Sequence, residues 1–218
     1  MSYQVAIDGP AGAGKSTIAK IVAKEKGYIY VDTGAMFRAM AVFMLRNKVD
    51  GADEAMVAAR CEDADIEIKY VEGVQNVFLN GENVNAFLRT EEVGNMASLI
   101  AKNNSVRDRL KQIQTELANK NSVVMDGRDI GTCVLPNADV KIYLTASSKV
   151  RAQRRFDELT AKGEKADFAK IEEDIIARDY QDMHREIAPL KKADDAVEID
   201  SSDMTIDEVA QTIMSYCK

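Results

Sequence analysis

The residues best suited to chemistry stand near the start of the chain, where Val5-Ala6-Ile7-Asp8 runs into Gly9-Pro10-Ala11-Gly12-Ala13-Gly14-Lys15-Ser16-Thr17. Spaced glycines followed by a lysine and a hydroxyl residue fit a loop that cradles phosphates. Glycines let successive backbone N–H groups curl around phosphate oxygens that a side chain would obstruct. Lys15 adds a mobile point charge. Ser16 can place its hydroxyl on a magnesium ion, with Thr17 beside it as an alternative, and a helix opening here aims its positive dipole end at the same phosphates. The ligand expected is a nucleoside triphosphate. A chance glycine-rich turn would not need an apolar strand before it and a helical pattern after it.

GTPases, ATPases and kinases all begin this way, so the arginines have to discriminate. Phosphoryl transfer to a phosphorylated acceptor requires cations on the acceptor phosphate and the migrating group as well as on the donor. Arg38 follows the Asp32-Thr33-Gly34 turn by about one helical turn. Arg128 follows the Ser122–Met125 strand, Arg178 and Arg185 share a helix face, and Arg151, Arg154 and Arg155 cluster. Any one of them alone would read as a solvated helix residue. No pair of adjacent acidic residues follows the Val123–Met125 strand, as one does in many ATPases. A kinase for a small phosphorylated acceptor is therefore expected. Other acceptors (uridylate, adenylate, shikimate) and a nucleotide-dependent switch that reads out to a partner remain open at this level.

The elements that must position these residues alternate between strand and helix. Ile18, Ile21 and Val22 mark the helix after the loop, with Gly27 as its left-handed stop. Tyr28–Val31 reads as a short buried strand, followed by the Asp32-Thr33-Gly34 turn and a helix with Met36, Phe37, Met40, Phe43 and Met44 on its apolar side. Ile66–Tyr70 alternates apolar and charged residues, and Glu72-Gly73 and Asn80-Gly81 flank Val74–Leu79 as hairpin turns, so a small antiparallel sheet is inserted here. Two helices follow, the second with Ser105 as candidate N-cap. The strand Ser122–Met125 ends in Asp126-Gly127-Arg128-Asp129, polar residues at the edge where open α/β sheets bind ligands. Val140–Leu144 and Val197–Ile199 supply further strands, residues 149–187 two charged helices, and Ile206–Ile213 a closing helix.

A chain of 218 residues with 46% hydrophobic and 30% charged residues is large enough for a real core. Its net charge of −7 argues against a nucleic-acid polymer as partner. No stretch resembles a signal peptide or a membrane span, so the cytoplasm is expected, and the lack of an apolar seam suggests a monomer. Cys61, Cys133 and Cys217 fit neither a disulfide framework nor a zinc ribbon, and the single histidine, His184, reads as a surface residue.

Gly9–Thr17, Asp32–Arg38, Arg89–Val93, Asp126–Thr132, Lys141–Leu144 and Arg178-Asp179 through Arg185 to Ala188-Pro189-Leu190 together resemble the bacterial cytidylate kinase family over nearly the whole chain. The loop is widely shared; the D-G-R-D-x-G-T and R-D-x-x-D-x-x-R-x-x-A-P-L strings are the specific part. The resemblance implies an α/β fold, a P-loop three-layer sandwich with a central parallel sheet, an inserted antiparallel β-subdomain and a short helical lid. It implies a core of residues 1–34, 89–147 and 186–218, an acceptor-binding region of 35–88 and a lid with its adjoining helix at 148–185. The implied reaction transfers the γ-phosphoryl group of ATP to CMP or dCMP with magnesium, held through Ser16. By the same resemblance Lys15, Arg128, Arg154, Arg155 and Arg185 would be catalytic. Gly9, Pro10, Ala11, Gly12, Ala13, Gly14, Lys15, Ser16, Thr17, Arg151, Arg154 and Arg155 would hold ATP. Thr33, Arg38, Ser98, Arg107, Arg128, Asp129, Arg178, Asp182 and Arg185 would hold CMP, with Ser98, Arg107 and Asp129 reading the base. A carboxylate only accepts hydrogen bonds, so Asp129 would favour the 4-amino group of cytosine over the 4-keto oxygen of uracil. Asp126 has no firm role.

Overall fold

Val5, Ala6 and Ile7 have no solvent exposure, and an apolar run buried on both faces belongs at the centre of a parallel sheet. In the computed structural model, which describes residues 2–71 and 73–218, they form that central strand. In chain order the elements are β1 (Gln4–Asp8), α1 (Lys15–Lys26), β2 (Ile29–Asp32), α2 (Thr33–Arg46), α3 (Glu54–Arg60) and β3 (Ile66–Val71). Then come β4 (Val74–Leu79), β5 (Glu82–Asn83), α4 (Glu91–Ile100), α5 (Asn104–Lys120) and β6 (Val123–Gly127). The chain closes with β7 (Val140–Thr145), α6 (Ser148–Ala161), α7 (Phe168–His184), β8 (Val197–Asp200) and α8 (Ile206–Tyr216).

Two sheets result: a five-stranded one ordered β2-β6-β1-β7-β8 and a three-stranded one ordered β3-β4-β5. β1 pairs in parallel with β6 and with β7, and β7 with β8. β3 pairs with β4, and β4 with β5, in antiparallel register. The expected parallel core and antiparallel insertion are both present. The chain divides into two compact units, one running to Tyr30 and resuming at Ser122–Lys218, the other Val31–Asn121.

In the first unit, Val5, Ile7, Val124, Ile142 and Leu144 of the sheet pack with Ile18 and Val22 of α1 and with Val209 and Ile213 of α8. α1 ends as its sequence indicates: Gly27 takes φ 68°, and Tyr28 N–H closes back on the Ala23 carbonyl at 2.8 Å. α8 begins with a capping box between Thr205 and Glu208. In the second unit, Met36, Met40 and Met44 of α2 meet Val77 and Leu79 of β4, Val93 and Ile100 of α4, and Val106 and Leu110 of α5.

Several local expectations change. Asp32-Thr33-Gly34 is no free turn: α2 starts at Thr33, and the Asp32 side chain caps it by accepting from Ala35 N–H at 2.9 Å. α5 is capped by Asn103, which accepts from the backbone N–H of Ser105 and Val106, so the side chain two residues earlier takes the role expected of Ser105. Of the two hairpin turns, Asn80-Gly81 adopts the paired left-handed φ values of 48° and 83° that match strand twist, while Glu72 lies outside the described residues. A short π-helical turn, Ile130–Val134, follows β6. All three cysteines are free thiols, and His184 is exposed and stacked on Tyr180.

Candidate active site

β1 delivers the phosphate loop at its carboxyl end, and Gly9 sits hard against β7. A Cβ there would lie 1.9 Å from the Leu144 carbonyl oxygen, so the loop can leave the sheet at this point only through glycine. Gly14 caps α1 in the left-handed conformation, φ 86°. Lys15 is buried and its ammonium donates to the Pro10 carbonyl at 2.7 Å. Burial, and then the positive charge of Arg128, lower its pKa to about 7 against the pull of Asp126, Asp8 and Asp182. The lysine thus stands folded back on its own loop.

The ends of β1 and β6 bring two further carboxylates to this place. Asp126 accepts from Ser16 Oγ at 2.9 Å and from Tyr30 Oη at 2.9 Å. Thr17, the neighbouring hydroxyl, is exposed. Asp8 accepts the backbone N–H groups of Ile130 and Gly131 at 2.8 and 2.7 Å, which fixes the chain just beyond Arg128 and Asp129. Burial raises the Asp8 carboxyl to about 6, although both N–H groups favour its ionised form. Sequence reading passed over Asp8 and Tyr30. The signal for Asp8 was available: an aspartate directly after a wholly apolar strand has to find buried donors.

The end of β6 and the last turn of α7 converge. Arg128 Nε donates to Asp182 at 2.8 Å. Arg185, whose side chain is 8% exposed, donates through Nε to the Ala188 carbonyl at 2.7 Å and lies 3.6 Å from Asp129 and 3.9 Å from Asp182. Arg128, Asp129, Asp182 and Arg185 are therefore one interlinked cluster of alternating charge, while Arg178 is exposed further up α7. The carboxylates fix both guanidinium groups before any ligand arrives, an arrangement chemically able to receive an anionic group.

The three arginines of α6 part company. Arg154 donates to the Ser201 carbonyl at 2.8 Å, with a guanidinium nitrogen 4.0 Å from where a Gly14 Cβ would stand. Arg155 is exposed and pairs with Glu158 at 2.8 Å. Arg151 is buried against the loop itself.

In the second unit, Thr33 is buried at the start of α2, and the Arg38 guanidinium lies beside Gly34 one turn earlier. Arg107 stacks over Phe37, 5.7 Å from the ring centroid, and donates to the Ala101 carbonyl at 3.2 Å. Ser98 is exposed, its hydroxyl donating to the Gly94 carbonyl at 3.1 Å. This unit thus gathers Thr33 with Arg38 along α2 and links Arg107 to the same helix through Phe37.

A sequence model of the family described as cytidylate kinase matches residues 5–218. The chain is 52% identical over 211 residues to the cytidylate kinase of Bacillus licheniformis, covering 96% of this chain and 93% of the relative. It is 50% identical over 210 residues to that of Bacillus subtilis, covering 96% and 94%. A similar match, 50% over 210 residues, joins it to the cytidylate kinase of Lactobacillus johnsonii, covering 96% and 91%. Among solved structures, an uncharacterized protein from Eubacterium ventriosum shares the fold with a TM-score of 0.54 at 14% identity, covering 99% of this chain and 98% of that one.

Proposed function

The chain belongs to the cytidylate kinase family, and on that premise we propose that it transfers the γ-phosphoryl group of ATP to CMP or dCMP, forming ADP and CDP or dCDP. The observation that carries this assignment is the Arg128–Asp182 and Arg185–Asp129 cluster at the end of β6, in the same unit as a complete phosphate loop. A hydrolase acting on the triphosphate alone has no use for a second seat for a dianion.

Residues Gly9 to Thr17 wrap the donor phosphates, with Lys15 released from Pro10 onto the phosphoryl oxygens. Arg128 and Arg185 bind the acceptor phosphate and hold its oxygen toward the γ-phosphorus, with Arg38 assigned to the same phosphate. Arg178, Asp182 and Thr33 contact the sugar or brace the phosphate. Ser98, Arg107 and Asp129 read the cytosine edge, Asp129 by accepting from the 4-amino group. Arg154 and Arg155 belong to a lid, residues 148–185, that closes on the donor phosphates and keeps water from competing as acceptor. Residues 35–88 form the acceptor-binding region.

Magnesium fits the oxygen donors at the loop, the Ser16 hydroxyl and the Asp126 carboxylate behind it. When bound it neutralises charge on the donor phosphates. Ser16 would hold it, its hydroxyl oriented by Asp126, which also accepts from Tyr30. Among the described residues no group of three or more His, Cys, Asp and Glu side chains could hold a metal ion without a bound nucleotide.

The partners are mononucleotides rather than a nucleic-acid polymer, and the enzyme works as a monomer on the cytoplasmic nucleotide pool. Among the described residues no helix is long and apolar enough to cross a membrane. Phosphorus NMR of ATP, magnesium and CMP with the enzyme tests the reaction directly. Appearance of CDP and ADP in equal amounts is expected; inorganic phosphate and ADP without CDP would refute transfer.

A further inference from the structure

Arg151 is an arginine with almost no access to solvent. Its side chain is 6% exposed, and that of Asp179, its ion-pair partner, 14%. Nε donates to the Ala146 carbonyl at 2.8 Å, one terminal nitrogen to the Ala11 carbonyl at 2.9 Å, and the other to Asp179 at 2.5 Å. The methylene stem presses on the loop as well, since a Cβ on Gly12 would lie 3.4 Å from Arg151 Cβ. A guanidinium is a rigid planar fork, so acceptors fixed around it also fix one another. Here they come from the turn after β7, the phosphate loop and α7.

As a stabilising device this pair is poorly built. Burying two charges is costly, and the attraction repays the desolvation only when the remaining lone pairs are satisfied. Asp179 Oδ1 is buried without a hydrogen-bond partner. What the pair does achieve is a connection. Asp182 and Arg185 follow Asp179 on α7 and at its end, and Asp182 holds Arg128 at 2.8 Å. A continuous chain of bonds therefore runs from the Ala11 carbonyl through Arg151 and Asp179 into the helix that seats the acceptor cluster.

We propose that Arg151 and Asp179 are positioning residues that couple the triphosphate loop to the acceptor-phosphate arginines, so that donor occupancy tightens acceptor binding. The proposal rests on the kinase reading above. It moves Arg151 from contact with the donor phosphates, the role implied by family resemblance, to a brace behind the loop that holds them.

Calorimetric titration of CMP into the enzyme, with and without a saturating non-hydrolysable ATP analogue and magnesium, tests it. In the parent enzyme the analogue should raise CMP affinity at least about fivefold, the lower end of ordinary site-to-site coupling. Asp179→Asn keeps the shape but not the charge, and Arg151→Lys keeps the charge and stem but not the fork. In both, thermal unfolding should show a folded protein, and the enhancement should fall below about twofold while the parent retains it. A merely structural role would lower the unfolding temperature and leave the enhancement intact. Full enhancement in folded variants, or none in the parent enzyme, overturns the proposal; should Asp179→Asn fail to fold, Arg151→Lys decides alone. A parent enzyme that binds no CMP would instead remove the kinase reading on which the proposal stands.

Discussion

Asp8, Lys15, Asp126, Asp129, Lys141 and Arg151 are buried in the first unit, whereas the polar side chains buried among the described residues of the second are the uncharged Thr33 and Gln114. Beside its apolar core the first unit also buries charge, at the ends of β1 and β6 and on β7 and α6. The second builds an apolar core from α2, α4, α5 and β4, and its arginines are half-buried or exposed. Buried charge survives only where partners hold it, and a held charge is preorganised for a transition state. An apolar unit that buries no charge of its own is suited to recognition rather than to transition-state charge. Turnover should therefore be concentrated in the first unit, and the second should contribute acceptor affinity.

The contrast can be broken by substitution, beginning with the largest effect. Lys15→Ala should lower kcat roughly 10²–10³-fold, the usual loss when one preorganised group on a developing charge is removed; steady-state kinetics showing normal turnover would contradict the loop's role. Arg185→Ala should reduce kcat/KM for CMP about 100-fold while the KM for ATP changes less than about twofold. Equal damage to both substrates would mean that the cluster holds the fold rather than the acceptor. Arg107→Ala, in the second unit, should raise the KM for CMP about tenfold with kcat little changed. A loss confined to kcat would place turnover chemistry in the second unit and erase the distinction.

A smaller effect concerns Asp8. Its folded pKa, about 6, lies above the ordinary 3.8, so between those values the native state binds more protons than the unfolded chain. Stability from this group then falls as pH rises through that window, by up to about 1.4 kcal/mol per pH unit. Asp8→Asn should remove this component, so that parent and variant differ in slope between pH 4 and 6 and run parallel above pH 7. Chemical denaturation across pH measures it, and identical slopes would show that Asp8 is not desolvated as its burial requires.

Legibility in the sequence followed the range of the interactions. The loop, α1 with its Gly27 stop and the polar end of β6 were readable because contiguous residues specify them. So was the small antiparallel sheet, through period-two alternation and Asn80-Gly81. The cap of α5 was misplaced by two residues because Asn103 and Ser105 are both competent caps, and only geometry chooses between them. The partnerships inside the site were not readable at all. Asp8 meets Ile130 and Gly131, Ser16 and Tyr30 meet Asp126, and Arg151 meets Ala11 and Asp179, each across a long stretch of chain. In the sequence Arg151, Arg154 and Arg155 look alike; burial separates a brace, a residue beside the loop and a surface ion pair.

Acceptor specificity is the most direct test of the account. Initial rates of ADP formation with ATP and magnesium should be measured with CMP, dCMP, UMP and AMP, for the parent enzyme and for Asp129→Ala. The account predicts a much higher kcat/KM for CMP and dCMP than for UMP or AMP, with Asp129→Ala narrowing the gap between CMP and UMP by about tenfold or more. Equal use of UMP by the parent enzyme, or no stimulation by any monophosphate, would contradict it.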